Sequence, residues 1–262
     1  MADMIPRFPP HSDLPAYRLP RRLVGGVLWA ALALRPRSVA RDARVAMTGL
    51  RPGLEVVGGE HVPSRGPCLV ACNHYSRPGF DAWWVALAIA AVVADRRAPD
   101  ADPEIRWVMT AAWTFPDSPW RRRVLTPLTR WAFDRVARAY GFVTMPPMPP
   151  DPLDVEARAL AVLRTVRLAR RAAQEGGMVG LAPEGRDVPD GLGQPPEGAG
   201  EFVALLVRAG LPVLPVGLAE HGGRLRVSFG PLFVPRLPAD RAERDRAVAG
   251  QVMEAIAEQL AR

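Results

Sequence analysis

The residues in this chain best suited to chemistry are Asn73, His74 and Asp81. The apolar run Cys68-Leu69-Val70-Ala71-Cys72 ends in Asn73-His74, and Pro78-Gly79 then leads to Asp81 and a second apolar stretch. Asn73 is the only asparagine, and His74 is one of 4 histidines. An imidazole just past a buried strand, with a carboxylate nearby, is how a general base is usually held, because its pKa lies close to working pH. Asp81 also opens an apolar helix, so two roles stay open for it: partner of His74, or N-terminal cap. In the second case Glu184 or Asp187 would be left to orient His74. A second group, Pro183-Glu184-Gly185-Arg186, follows the apolar run Gly177 to Leu181. That places Glu184 and Arg186 at the carboxyl end of a strand, where open α/β sheets carry ligands. Gly185 allows backbone to approach a ligand closely, and Arg186 offers a fork for a phosphate. Ser76 lacks the flanking glycines of a nucleophile elbow, which argues against a serine hydrolase.

Alternating elements must carry these groups. The pattern predicts strands at Leu54 to Val57, Cys68 to Cys72, Ile105 to Thr110, Phe142 to Met145, Gly177 to Leu181, Val213 to Val216 and Arg224 to Phe229. Helices are expected within 16–45 (broken near Pro36) and at Asp81 to Ala94, Trp120 to Tyr140, Val155 to Gln174, Gly200 to Ala209 and Asp240 to Leu260. Such alternation in 262 residues argues for one α/β domain, with a mixed, mostly parallel sheet covered by helices on both faces. We divide the chain into a flexible start with a membrane-associating amphipathic helix (1–45) and the α/β domain (46–262). Residues 1–14 are Pro-rich and expected to be unstructured, and a proline loop covers Pro146 to Pro152.

The apolar run Leu23 to Leu34 is too short to span a bilayer, sits between Arg21-Arg22 and Arg35, and contains Trp29. It reads as a helix lying in the membrane interface, or as one that simply packs on the domain. Trp120-Arg121-Arg122-Arg123 suits a phospholipid surface, with a solvated helix start as the plainer reading. The net charge is +7 and every basic residue is arginine. Arginine suits phosphate and carboxylate ligands, and a basic surface can serve nucleic acid, anionic lipid or an acidic substrate. No nucleic-acid motif accompanies the charge, so no nucleic-acid partner is expected. Cys68 and Cys72 face one side of their strand and read as buried thiols. No clustered Cys/His set suggests a metal.

The chain resembles the glycerolipid acyltransferase family that includes the lysophosphatidic acid acyltransferases, over roughly Leu54 to Leu260. Val57-Gly58-Gly59-Glu60-His61-Val62-Pro63 leading to Asn73-His74 is similar to the first family motif. Pro183-Glu184-Gly185-Arg186 is similar to the third, Leu211-Pro212-Val213-Leu214-Pro215-Val216-Gly217 to the fourth, and Phe229-Gly230-Pro231-Leu232 to the segment beyond it. The resemblance implies direct acyl transfer at the cytoplasmic face of a membrane, by a peripheral protein. Its co-substrate would be acyl-CoA or acyl carrier protein, its acceptor a lysophospholipid or similar glycerolipid hydroxyl, and no cofactor or metal is implied. It makes His74 the general base with Asp81 as its catalytic partner, and puts Asn73, Glu184, Gly185 and Arg186 on the substrate side. Glu184 would orient Arg186 or the loop rather than react. Two departures stand out. Gly79 occupies the family's aspartate position, so Asp81 follows a small insertion at Pro78-Gly79, and Met145-Pro146-Pro147-Met148 lacks the second motif's arginine. These departures motivate a second reading, a catalytically degenerate lipid-binding module of the same fold.

Overall fold

Seven strands form one sheet in the order β1-β7-β6-β2-β5-β3-β4. The computed structural model describes residues 17–115, 118–147, 154–186, 188 and 191–262. The Pro-rich start, much of the proline loop and Asp187 lie outside those residues. In chain order the elements are α1 (Arg21–Ala33), α2 (Val39–Met47), β1 (Glu55–Val57), β2 (Cys68–Cys72), α3 (Trp83–Arg96), β3 (Ile105–Thr110) and α4 (Pro119–Tyr140). They continue as β4 (Val143–Met145), α5 (Val155–Glu175), β5 (Met178–Leu181), α6 (Ala199–Arg208), β6 (Val213–His221), β7 (Arg224–Phe229) and α7 (Arg241–Leu260). All pairings are parallel except β6 with β7. That hairpin closes through Gly222-Gly223, both at positive φ, as a two-residue turn matching strand twist requires.

β2 lies at the centre, all five residues buried, so it reads as a continuous apolar run rather than an alternating one. Its two faces feed two cores. Cys68, Val70 and Cys72 pack with α2 and α3, whereas Leu69 and Ala71 pack with α5, α6 and α7. Both cysteines are buried free thiols on one face, as their spacing predicts. The chain leaves β2 towards α3 on the first face and leaves its neighbour β5 towards α6 on the second. Neighbouring strands whose onward connections part over opposite faces create the crevice in which open α/β sheets bind ligands.

The sheet runs past the expected end of β6. Val213 to Val216 marks its start, yet the strand continues to His221 and overhangs the end of β2, whose last pair is Cys72 with Val216. α2 spans residue 45 and packs into the core. Ser38 caps α2, the Glu104 carboxylate accepts from the Val39 amide at 2.8 Å, and Val39, Ala43 and Ala46 enter the core with α3. α2 therefore belongs to the α/β domain. α1 rests on α4 through Ala31 and Leu32, whose carbonyls accept from Arg135 Nη1 at 3.4 and 2.9 Å. Leu23, Ala30 and Ala31 are buried, while Val24, Leu28, Trp29 and Leu32 face solvent.

Candidate active site

The parallel register brings the two sequence motifs together. Ala71 of β2 pairs with Leu181 of β5, so His74 and Glu184 stand the same distance beyond their strand ends. There the His74 backbone amide donates to Glu184 Oε2, and the Gly193 amide donates to Oε1. Beyond this the two exits remain paired. Val188 N donates to the His74 carbonyl at 3.0 Å, and Tyr75 bridges Val188 in parallel. That pairing falls three residues further along on the β5 side, and Gly185 and Arg186, which come before it, are exposed at the mouth.

Glu184 is buried, and burial pushes its carboxyl above the usual carboxylate range, opposed by the Gly193 and His74 amides and the nearby His74 and Arg186 charges. It thus ties the loop to the peptide of the candidate base. Gly193 has no room for a side chain, since a Cβ would lie 2.6 Å from Val188 Cγ2. The turn Ala182-Pro183-Glu184-Gly185 closes by a Gly185 N to Ala182 O bond of 3.2 Å, with proline at the second position and glycine at the fourth, as a type I turn favours.

Asn73, expected on the substrate side, makes its contacts within the fold. It is fully buried, its Nδ2 donates to the Leu218 carbonyl at 2.9 Å, and its Oδ1 accepts from the Leu218 amide at 2.8 Å. Both ends of the amide are thereby committed to β6, so Asn73 anchors the β2 exit instead of facing a ligand. Asp81 is also placed differently from the expected partnership. It is exposed, no hydrogen bond joins its carboxylate to the His74 ring among the described residues, and no side chain caps α3. The Pro78-Gly79 insertion forms a tight turn, in which Phe80 N donates to Arg77 O at 2.8 Å and Gly79 takes a φ of 83°. Phe80 is fully buried behind it, so the chain reaches Asp81 on its outer side. His74 itself is half-buried.

Three contributors escape the motif reading: Gly193, Arg77 and Glu220. The Gly222-Gly223 pair, flanked by apolar alternation, is the signal that would have extended β6 and placed Glu220 on a strand.

Fold and site together define an α/β protein whose histidine stands at the carboxyl ends of its two central strands. The family model for acyltransferases matches residues 53–219, and the chain belongs to that family. The fold is similar to that of the 1-acyl-sn-glycerophosphate (LPA) acyltransferase PlsC from Thermotoga maritima. That likeness covers 91% of this chain and 90% of the other, with a TM-score of 0.50 and 18% identity, and is one of fold. A search of curated protein sequences finds no match.

Proposed function

We propose that this acyltransferase moves a fatty acyl group from acyl-CoA or acyl carrier protein to the hydroxyl of a lysophospholipid or similar glycerolipid, with His74 as general base. The observation that carries this reading is the parallel pairing of the β2 and β5 exits, which fixes the His74 peptide on the buried Glu184 carboxylate beside exposed Gly185 and Arg186. His74 takes the proton of the acceptor hydroxyl as that oxygen attacks the thioester carbonyl. The tetrahedral adduct then expels the thiolate, which takes up a proton, and no acyl-enzyme forms. In this scheme the exposed Arg186 guanidinium receives the acceptor phosphate. Neither metal nor cofactor enters this scheme.

Membrane association is supported by α1 and α4. Leu28, Trp29 and Leu32 of α1 and Trp120, Val124, Leu128 and Trp131 of α4 are exposed, on two helices that pack together. Arg21, Arg22 and Arg121 to Arg123 lie among them in sequence and are exposed too. Apolar and aromatic side chains among arginines suit an anionic bilayer interface, here that of the cytoplasmic leaflet. Among the described residues no helix is long and apolar enough to cross a membrane.

The test is turnover by purified protein offered palmitoyl-CoA or palmitoyl-acyl carrier protein with a panel of lysolipids, for wild type and His74→Ala. The reading requires an acylated product that His74→Ala reduces by about 10²–10⁴-fold, the span of a general base. Vesicle binding unaffected by His74→Ala, with no acyl product from either protein, would instead fit the degenerate lipid-binding module that the outward Asp81 favours.

A further inference from the structure

The turn after His74 carries a buried ion pair for which the acyl-transfer scheme has no use. Arg77 and Glu220 are 7% and 5% exposed. Arg77 Nε donates to Glu220 Oε2 at 2.5 Å and Nη2 donates to Oε1, a two-pronged match of guanidinium to carboxylate. The Tyr75 hydroxyl donates to the same Oε2 at 2.9 Å, and Arg77 Nη1 donates to the Pro78 carbonyl at 2.7 Å. The guanidinium carbon lies 5.7 Å from the Tyr17 ring centre and 6.0 Å from that of Phe80. Tyr17 N in turn donates to the Gly79 carbonyl at 3.2 Å, so the segment entering α1 closes over the turn.

Stability alone is a poor reason for such a pair. Taking two charges out of water costs about as much as their attraction returns, and apolar residues of similar volume often serve folding equally well. What the pair adds is a fixed geometry. β6 overhangs β2 and acts as a ruler alongside the active-site turn. Asn73 is tied to Leu218 and Arg77 to Glu220, positions two apart on one face of the strand. His74 lies between these two anchors, with its own amide on Glu184. We propose that Arg77 and Glu220 are the positioning pair of the active-site turn, setting the His74 ring against the acceptor hydroxyl by binding the turn to the β6 overhang. The Pro78-Gly79 insertion belongs to this device, since its tight turn closes directly behind Arg77.

The proposal rests on His74 acting as the base, and its test separates the two. Kinetics use the full chain with palmitoyl-CoA and lysophosphatidic acid. The His74 ring signals are followed by NMR and assigned by their loss in His74→Ala. The double variant Arg77→Met/Glu220→Leu removes both charges from the interior and is expected to fold with a melting temperature near wild type. Its kcat should fall by about 100-fold, the effect of roughly 1 Å of misplacement, with KM for both substrates within about threefold. Arg77→Lys keeps a buried cation without the fork and should lose about tenfold in kcat, since an ammonium is a point charge where the site needs a planar clamp. In both variants the His74 ring signals should move. A folded variant of either kind with wild-type kcat, or with unmoved His74 signals, overturns the proposal. So does a loss of kcat that merely tracks the folded fraction. Absence of wild-type turnover would sink the acyltransferase reading alone, because the NMR arm judges the positioning without it.

Discussion

At the scale of single residues, the site is built from polar groups committed to backbone. Asn73 illustrates how much such a commitment is worth. Asn73→Ala leaves the Leu218 amide and carbonyl buried without their partner, at a cost of about 1–3 kcal/mol for each unsatisfied group. Urea unfolding should show that loss, and a stability within about 0.5 kcal/mol of wild type would mean that the anchor is dispensable. Glu184 carries a pH signature. Burial holds its folded carboxyl above the ordinary range, so the folded state keeps a proton that the unfolded chain has already released. Stability from this group is therefore fully present below the unfolded pKa and is lost as pH rises through the raised folded value. Glu184→Gln cannot titrate. The difference in urea midpoint between wild type and this variant should thus move against wild type as pH rises from acid towards neutral. A difference that stays constant across that range would contradict the burial effect.

At the scale of elements, α1 is both a packed helix and a displayed one. Leu23, Ala30 and Ala31 seat it on the domain, while Val24, Leu28, Trp29 and Leu32 are exposed. Leu28 and Trp29 are 59% and 63% exposed, so charging them removes little from the fold. Trp29→Glu should leave the melting temperature unchanged. Burying such a side chain in lipid is worth about 1.5–3 kcal/mol, so its loss should weaken partition onto phosphatidylglycerol vesicles by about tenfold or more. Sedimentation with vesicles reads that change, and unchanged binding would exclude α1 from the docking surface. Other elements were legible in outline, because strand type follows from apolar runs and a helix start from a residue such as Asp240, which caps α7. The sequence pattern marks β6 only to Val216, whereas the strand runs on through Glu220 to His221. Only the partner on the β2 exit makes a buried acid tolerable there.

At the scale of the whole molecule, β2 is sealed between two cores, and its thiols report on that seal. Burial pushes Cys68 up to about 12, with the Arg97 charge acting against it, so at pH 8 the group is a thiol rather than a reactive thiolate. Ellman's reagent at pH 8 should find neither cysteine in the native protein and both in denaturant. Labelling at the rate of an exposed thiol under native conditions would show that the central strand opens locally.

The sequence by itself determined the α/β class and the strand-helix alternation, and it displayed two motifs that the family resemblance assigns to one site. It could do so because apolar periodicity and Pro/Gly punctuation are local properties, and both motifs follow directly on strands. Only the tertiary structure decided which side chains meet beside His74. The shared register of β2 and β5 set Glu184 under the His74 peptide, and the overhang of β6 drew Asn73 away from any ligand and Arg77 into the interior. The tight Pro78-Gly79 turn left Asp81 outside. These outcomes depend on strand lengths and pairings between residues more than a hundred positions apart, and no local pattern encodes that sum.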